Sequence, residues 1–389
     1  MRYAKFWQSY TMPVEGVRRP AWAEIDSAAL RHNISTLRSL VAPAALCGVV
    51  KANGYGHGAL LAARAFIDAG AAGLAVAIVD EGVELRNGGI TEPILLLAEA
   101  PADTLVDALE ARLTLTIGSL DGARAARDAV ISIGGRHPVH IKVDTGMHRM
   151  GVSPRDLLET VEILKSSPNL VIEGIYTHFP VADSMDPDDR MYCHEQMDTF
   201  FALVAELRER GVEPPLMHLA NSAASISLPD ARASMVRVGL AAYGYVPHPD
   251  MSGMVTPLRP ALSLKARVTA VRELEAGERP SYGRRRALES RATVATVPFG
   301  YADGYPRRFF EAGAYVLING RRHPLAGSVT MDQLVIDCDG ATVSVGDEVV
   351  LLGTQGEHSI SAAEWAEWGE TITWEVLCGI GARVPRVAV

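Results

Sequence analysis

Cysteine is scarce in this chain of 389 residues, and its four copies are widely separated. Cys47, Cys193, Cys338 and Cys378 form no CxxC pair, so the sequence indicates neither a zinc site nor a disulfide framework. Thiols that are neither paired nor clustered are typical of proteins in a reducing compartment. We therefore expect the protein to be in the cytoplasm and to bind no metal.

Long apolar runs and an excess of positive charge are also missing. Residues 1–16 lack the apolar core of a signal peptide, and no apolar run in the chain is long enough to span a membrane. The formal net charge of −9 disfavours nucleic acid and anionic membranes as partners, because both select for clustered positive charge. A small anionic ligand, by contrast, needs only a few local donors.

A GxGxxG turn after the first buried strand is absent, which disfavours an open dinucleotide-binding sheet. The chain instead has short apolar runs that alternate with helix-like segments. Eight runs have the character of buried strands: residues 46–50, 73–77, 93–98, 113–117, 139–143, 171–178, 217–220 and 235–239. Such strands, separated by helices, indicate a parallel sheet covered on both faces, and eight of them suggest closure. We predict a (β/α)8 TIM-type barrel over residues 24–256.

The chain is too long for one small core, and its pattern changes after about residue 255. Short β-rich runs are broken there by glycine, proline and aspartate, which predicts a mainly antiparallel β domain over residues 257–389. Near the N-terminus, "PAWAEID" is strand-like but has no place in the barrel. We expect residues 1–23 to be an irregular tail followed by a strand that joins the β domain.

Polar residues recur where the predicted barrel strands end. The set is Lys51, Lys142, Arg149, His178, His218, Asn221, Ser222 and Arg237. Because active sites of such barrels form at the carboxyl ends of the strands, we predict an active site there. Each residue also has an ordinary interpretation, as a solvated lysine, a core histidine, an ion-paired arginine or a helix cap. The functional interpretation explains all of them together.

Ten motifs in order, from near residue 20 to the end, give the chain a resemblance to the pyridoxal-phosphate-dependent alanine racemases. They are "AEIDSAALRHNI", "VVKANGYGHG", "KVDTGMHRMGV", "YTHF", "HLANSAA", "MVRVGLAAYG", "SYG", "VPFGYADGYPR", "SVTMDQ" and "RVPRV". The resemblance implies a (β/α)8 barrel followed by a β domain, with pyridoxal 5′-phosphate as cofactor. It also implies the interconversion of L- and D-alanine by a homodimer whose subunits share their active sites.

By this resemblance, five residues bind the cofactor at the ends of the first, seventh and eighth barrel strands. Lys51 matches the lysine that forms a Schiff base with pyridoxal phosphate, and the glycines after it let the chain turn sharply around the cofactor. Tyr55 donates a hydrogen bond to the phosphate. Ser222 and the backbone amides of Gly239 and Leu240 supply further phosphate donors.

Arg237, by the same resemblance, faces the pyridine nitrogen of the cofactor. Arginine stays charged and does not hand over its proton, so the ring is a weaker electron sink than it is beside a carboxylate. Side reactions such as transamination are thereby suppressed. The resemblance also implies that His218 supports Arg237 and that His178 is hydrogen-bonded to it.

Racemisation needs a proton removed on one face of the substrate carbon and delivered on the other. The resemblance assigns these roles to Lys51, acting on the D-isomer, and to Tyr282 of the partner subunit, acting on the L-isomer. Arg149 binds the substrate carboxylate, helped by the backbone N–H of Met331 from the partner subunit. Lys142 matches a position that is often carbamylated in the family, giving an anion that orients Arg149.

Two further positions concern the size of the pocket. Trp374 stands where the family usually has a tyrosine that bonds the phosphate. Indole has a single donor and is bulkier than phenol, so we favour Trp374 as a wall of the pocket over Trp374 as a phosphate donor. By the same resemblance, Asp332 matches a residue at the entrance to the active site that excludes substrates with larger side chains.

Three other functions compete with alanine racemisation. One keeps the fold and cofactor but changes the substrate to serine or another small amino acid. Another is a non-catalytic pyridoxal-phosphate-binding protein, which is disfavoured because such a protein has no use for the β domain that carries Tyr282. The last is a decarboxylase, which is expected to place a carboxylate, rather than Arg237, against the ring nitrogen.

Overall fold

The computed structural model describes residues 18–389, so most of the predicted N-terminal tail lies outside the described residues. The chain divides into two compact units. The barrel unit is Ser27–Pro260, and the β unit is Ala261–Val389 together with the segment that ends at Asp26. The boundaries drawn from the sequence, after residues 23 and 256, lie a few residues away. Within residues 18–389, no helix combines the length and the apolar character needed to span a bilayer.

Strand β1 (Ala21–Ile25) belongs to the β unit, and the next eight strands form the barrel. They are β2 (Ala45–Val49), β3 (Gly73–Val76), β4 (Ile94–Leu96), β5 (Leu115–Ile117), β6 (His137–Lys142), β7 (Leu170–Tyr176), β8 (Leu216–His218) and β9 (Met235–Val238). Each overlaps one of the eight runs predicted from the sequence. All their pairings are parallel, as buried runs without polar alternation require.

Two parallel sheets, in the strand orders β4-β3-β2-β9 and β5-β6-β7-β8, close into the barrel. On one side, a parallel bridge between Leu95 and Thr114 joins β4 to the segment that enters β5. On the other side, the Arg237 amide in β9 donates to the carbonyl of Ala220, just after β8, at 2.9 Å. The predicted (β/α)8 fold is therefore confirmed.

Helices cover the outside of the barrel. They are α1 (Ser27–Val41), α3 (Ala59–Asp68), α4 (Val79–Asn87), α5 (Leu105–Glu110), α6 (Leu120–Ile133), α7 (Leu157–Lys165), α8 (Pro187–Glu209) and α9 (Ser222–Ser227). The short segment α2 (Lys51–Tyr55), which follows β2, is a left-handed turn and not a regular helix. The buried residues of α1 include Leu30, Ile34, Leu37 and Val41, a spacing of three and four that places them on one face. Ser119 begins α6 by accepting a hydrogen bond from the Gly122 amide at 2.9 Å.

The β unit contains β1 and nine later strands. These are β10 (Leu262–Arg267), β11 (Ala270–Leu274), β12 (Ala292–Val297), β13 (Tyr315–Ile318), β14 (Arg321–Pro324), β15 (Leu334–Asp337), β16 (Glu348–Gln355), β17 (His358–Ile360) and β18 (Arg386–Ala388). One sheet has the order β14-β13-β16-β10-β1-β18, with β17 paired to β16, and the other has the order β11-β12-β15. All pairings except β1 with β18 are antiparallel, which confirms the mainly antiparallel β domain.

Two helices of the β unit, α10 (Ala362–Gly369) and α11 (Thr373–Cys378), were not expected from the sequence. A capping box begins α10, because Ser361 Oγ accepts from the Glu364 amide at 3.1 Å and the Glu364 carboxylate accepts from the Ser361 amide at 2.8 Å. Trp365 is buried and donates to the Leu351 carbonyl at 2.9 Å. The Ser–x–x–Glu spacing is the sequence signal that predicts this helix.

Candidate active site

The parallel barrel brings the predicted polar residues to one end of its strands. Lys142 and His218 are the last residues of β6 and β8, and Arg237 lies within β9. His178 follows β7 by two residues, and Lys51 follows β2 by two residues. All five therefore lie at or near the carboxyl ends of strands that run in the same direction, as the sequence predicted.

The chain turns through an unusual conformation directly after Lys51. Ala52, Asn53, Gly54 and Tyr55 have φ angles of 53°, 52°, 59° and 49°, so four consecutive residues lie in the left-handed region. This turn carries the Tyr55 side chain into the barrel unit, where its ring stacks on Tyr243 at 4.9 Å between centroids. The left-handed turn thus sets the positions of Lys51 and Tyr55 together.

Where Tyr55 meets the end of β9, a small site is formed by Tyr55, Ser222, Gly239 and Leu240, and we call it the cradle. A Cβ atom at Gly239 would overlap the Tyr55 hydroxyl, so only glycine leaves room for the phenol there. Ser222 Oγ accepts hydrogen bonds from the Gly239 amide at 2.9 Å and from the Ala241 amide at 3.4 Å. Leu240 continues the same segment and is buried. The structure therefore brings together the four residues that the sequence assigns to the phosphate.

Asn221 has the structural role that was its ordinary interpretation. Its side chain accepts a hydrogen bond from the Ala224 amide at 3.0 Å and caps helix α9. This cap places Ser222 as the first residue of the helix, next to Gly239. The motif "HLANSAA" thus contains both Asn221, which caps helix α9, and Ser222, which belongs to the cradle.

Arg237 is buried, and its guanidinium makes five hydrogen bonds, all through its two Nη atoms. Nη1 donates to Nδ1 and the carbonyl of His218, both at 2.8 Å. Nη2 donates to His178 Nδ1 at 3.1 Å and to the carbonyls of Thr177 and Leu219 at 2.8 and 3.1 Å. Burial lowers the pKa of Arg237, but from a value so high that the group stays protonated. The predicted contacts of Arg237 with His218 and His178 are present.

Two residues that the sequence analysis did not single out, His140 and Glu173, extend this network. Because a guanidinium only donates, His218 Nδ1 accepts, and His218 Nε2 then donates to His140 Nδ1 at 2.8 Å. His140 Nε2 in turn donates to Glu173 Oε2 at 3.2 Å. Burial and Arg237 hold the pKa of His218 well below its usual range, which agrees with a neutral ring.

The positions of His140 and Glu173 depend on an irregularity between β6 and β7. Val139 pairs with Ile172 but His140 pairs with Gly174, so Glu173 is an extra residue in the ladder. A Cβ atom at Gly174 would lie 2.7 Å from His140 Nδ1, so glycine makes room for the imidazole. His140 could have been found from its spacing, because it lies two residues before Lys142 and shares its strand face.

Positive charge dominates this end of the barrel. Burial, with Arg237, Arg149, Lys142 and Lys51, holds the pKa of His178 well below its usual range. Burial also lowers the pKa of Lys142 to about 8, with smaller contributions from Arg149 and Arg237 against that of Asp144. The Lys142 amine donates to the Met150 carbonyl. A site with four cationic side chains around one neutral histidine favours an anionic ligand.

Arg149 lies on an exposed loop that follows β6. The loop closes on itself because the Val152 amide donates to the Lys142 carbonyl at 2.8 Å and the Asp144 amide donates to the Val152 carbonyl at 3.0 Å. Gly151 permits this closure, since a Cβ there would lie 2.7 Å from the Asp144 nitrogen. Arg149 is therefore held near the strand ends while its side chain remains accessible.

The predicted residues of the β unit lie together on an exposed surface. The side chains of Tyr282 and Met331 are 73% and 52% exposed. Ser281, next to Tyr282, donates to the Ser328 carbonyl at 2.6 Å, three residues before Met331. Tyr301, also exposed, is joined to this surface because its amide donates to the Thr330 carbonyl at 3.0 Å.

Asp332 is held by a chain of ion pairs within the β unit. Arg383 donates a hydrogen bond to Asp332 at 2.6 Å and forms an ion pair with the buried Asp303 at 2.9 Å. Asp303 also binds Arg19, which precedes β1. Trp374 is half-buried in α11. The sequence analysis assigned Asp332 but did not single out Arg383, Asp303 or Arg19.

The chemistry of the barrel site selects a ligand with both a carbonyl and an anionic group. Lys51 offers an amine, the cationic side chains attract an anion, and the cradle at Gly239 presents the hydroxyls of Tyr55 and Ser222 together with backbone amides. Pyridoxal 5′-phosphate has both features and fits these residues. The fold and the site define a pyridoxal-phosphate-dependent barrel enzyme.

Comparison with known proteins identifies the family within that class. Models of the N-terminal and C-terminal domains of alanine racemase match residues 25–247 and 261–388. The alanine racemase of Desulforamulus reducens is 41% identical over 376 residues, covering 96% of this chain and 100% of that protein. This chain belongs to the alanine racemase family.

Solved structures agree with this assignment. Alanine racemase from Bacillus anthracis, solved with bound L-Ala-P, is 36% identical, with a TM-score of 0.90 and 96% of each chain covered. Histidine racemase from Leuconostoc mesenteroides is 29% identical, with a TM-score of 0.88, covering 96% of this chain and 98% of that one. The fold is therefore shared by racemases of different substrates.

Proposed function

We propose that this chain is an alanine racemase that interconverts L- and D-alanine, with Lys51 and Tyr282 as the two catalytic residues. The observation that carries the proposal is that Lys51 and the buried Arg237 lie at the same end of the barrel. A decarboxylase of this architecture is expected to use a carboxylate in place of Arg237. The family to which the chain belongs supports the same choice.

Lys51, Tyr55, Ser222, Gly239 and Leu240 would hold pyridoxal phosphate. When bound, this cofactor supplies an electron-withdrawing ring that makes the α-hydrogen of an attached amino acid acidic. The Tyr55 and Ser222 hydroxyls and the amides of Gly239 and Leu240 are suited to bind the phosphate. Burial of the cradle strengthens these hydrogen bonds, because few waters compete for the donors.

Arg237 would face the ring nitrogen. Its Nη atoms are occupied by five partners among the described residues, so Nε is the donor that remains for a ligand. The guanidinium keeps its own proton, so it does not protonate a ring nitrogen. His218, backed by His140 and Glu173, holds the guanidinium in this position.

The proton would move between two side chains on opposite faces of the substrate carbon. Lys51 Nζ acts on the D-isomer, and Tyr282 Oη of the partner subunit acts on the L-isomer. The high exposure of Tyr282 on its own β unit supports a role in another subunit's site. The active enzyme would therefore be a homodimer, in which each site takes Lys51 from one subunit and Tyr282 from the other.

Substrate binding would use the cations that the barrel leaves accessible. Arg149, exposed on its loop, would bind the substrate carboxylate, together with the backbone N–H of Met331 from the partner subunit. Burial lowers the pKa of Lys142 to about 8, so about a tenth of its amine is neutral at pH 7, far more than for an ordinary lysine. A neutral amine can react with carbon dioxide, which supports carbamylation of Lys142 to give the anion that orients Arg149.

Alanine is the proposed substrate, and serine or another small amino acid is the alternative. The histidine racemase with this fold shows that the architecture accepts larger side chains in at least one protein. In this chain, Asp332 is held by Arg383, and the bulky Trp374 replaces a smaller phenol, and both features support a small pocket. The four free cysteines support a reducing, cytoplasmic location.

The test is a racemisation assay on the purified, pyridoxal-phosphate-loaded protein. L- and D-alanine, L- and D-serine and L- and D-histidine are each incubated in deuterium oxide, and inversion and α-deuterium incorporation are measured. We expect kcat/KM to be highest for both isomers of alanine. A higher kcat/KM for serine or histidine would reassign the substrate, and the absence of inversion for all three would contradict a racemase.

A further inference from the structure

The left-handed turn after Lys51 is anchored by a carboxylate from a different barrel segment. Three of its four residues, Ala52, Asn53 and Tyr55, carry a side chain, and alanine and tyrosine in particular avoid this region of backbone conformation. A run of them persists only where the surroundings hold it in place.

Glu81 bridges the turn to the next strand of the barrel. Its Oε1 accepts a hydrogen bond from the Ala52 amide at 2.6 Å, directly after Lys51. Its Oε2 accepts from the amides of Ala77 and Ile78 at 2.7 and 3.3 Å, where the chain leaves β3 and begins α4. One carboxylate thus ties the residue after the lysine to a rigid helix start.

Asn53 provides a second anchor from within the turn. Its side-chain oxygen accepts from the Ala59 amide at 2.9 Å, and its carbonyl accepts from the Gly58 amide at 2.9 Å. These bonds fix the far end of the turn to the start of α3. Glu81 holds one end of the turn and Asn53 holds the other, with Tyr55 between the anchors.

We propose that Glu81 is a positioning residue for the cofactor site: it holds the strained turn that aims Lys51 and Tyr55, and Asn53 assists it. The inference rests on the proposed function, in which Lys51 and Tyr55 bind pyridoxal phosphate. Without the Glu81 anchor, the turn relaxes toward conformations that side-chain-bearing residues prefer. Lys51 and Tyr55 then no longer reach one ligand at the same time.

The chain offers a matched control in Asp80. Asp80 and Glu81 are consecutive acidic residues in the first turn of α4, but Asp80 is exposed and, within residues 18–389, makes no hydrogen bond like those of Glu81. Asp80→Asn removes the same charge from the same helix start as Glu81→Gln. A difference between the two variants therefore reports the anchor and not the charge.

The experiment titrates cofactor-free protein with pyridoxal phosphate and follows visible absorbance and the circular dichroism induced in the bound cofactor. We expect Glu81→Gln to raise the Kd by about tenfold or more, because a charge-assisted hydrogen bond to the turn is lost, and to reduce the induced signal. Asp80→Asn should leave the Kd within about twofold. Ala52→Gly added to Glu81→Gln should restore part of the affinity, because glycine enters the left-handed region freely.

Equal affinity of Glu81→Gln and the wild type, or an equal loss in Asp80→Asn, would overturn the proposal. If Glu81→Gln does not fold, Asn53→Ala replaces it, with a loss in the same direction expected and unchanged affinity overturning the proposal. Lys51→Ala tests the proposed function independently of the role of Glu81. Should Lys51→Ala bind the cofactor like the wild type, the proposed function fails, whatever the result at Glu81.

Discussion

The barrel unit and the β unit present their candidate residues in opposite ways. In the barrel unit, Arg237 is buried and makes five hydrogen bonds, and His218 is fully enclosed beside it. In the β unit, Tyr282 is 73% exposed and Met331 is 52% exposed. The barrel therefore holds its cations in place before a ligand arrives, whereas Tyr282 is largely open to solvent on its own chain.

Lys51→Ala is expected to have the largest effect, because it removes the only amine that the account assigns to the cofactor. The variant should lose the visible absorbance of the bound cofactor and all α-deuterium exchange, from L- and D-alanine alike. Absorbance spectra and exchange measured by NMR check this. Lys165→Ala, at a lysine in α7, is the control and should behave like the wild type.

Tyr282→Phe should impair proton exchange without impairing cofactor binding, because it changes the β unit and leaves the barrel unit intact. The cofactor absorbance should remain, since the barrel residues are intact, while exchange is lost chiefly from the L-isomer. Exchange from each isomer, measured separately, gives the result, and Tyr301→Phe on the same surface is the control. Equal losses from both isomers would contradict the assignment of one residue to each face.

Arg237→Ala in the barrel unit should destabilise the protein much more than Tyr282→Phe in the β unit. The change leaves His218 Nδ1 and three buried carbonyls without their donor, so we expect the free energy of unfolding to fall by about 3 kcal/mol. Urea denaturation measures this. Tyr282→Phe and the exposed Arg155→Ala should each change it by less than about 0.5 kcal/mol.

The last prediction concerns the dependence of stability on acid. Burial holds the pKa values of His178 and His218 well below their usual range, so the unfolded chain binds protons there that the folded chain does not. Stability from these neutral rings is complete above about pH 6.5 and is lost as the pH falls, by up to about 1.4 kcal/mol per pH unit for each histidine. Unfolding by urea at pH 7, 6 and 5 measures the slope.

The sequence was sufficient to predict the barrel and the strand-end site, because continuous apolar runs and polar residues just after them are local signals. His218 and Arg237 were found in this way. The His140–Glu173 extension was not, since Glu173 is an extra residue in the β6–β7 ladder and reaches His140 only through its side chain. The ladder register is a property of two strands and cannot be read from either one alone.

The left-handed turn and its anchor illustrate the same limit. The glycines after Lys51 indicate a sharp turn, but nothing local shows that Ala52 and Asn53 take left-handed conformations. Glu81 reaches the turn from 29 residues away along the chain. In the β unit, likewise, only the fold joins Asp332 through Arg383 to Asp303.

The most direct test of the central claim, that each active site combines Lys51 of one subunit with Tyr282 of another, is complementation between two impaired variants. Lys51→Ala and Tyr282→Phe chains are co-expressed with different tags, and the doubly tagged species is assayed for alanine racemisation. We predict about half of the wild-type activity, well above that of either variant alone, because each mixed dimer contains one intact site of two. Mixed dimers no more active than the two parents would contradict it.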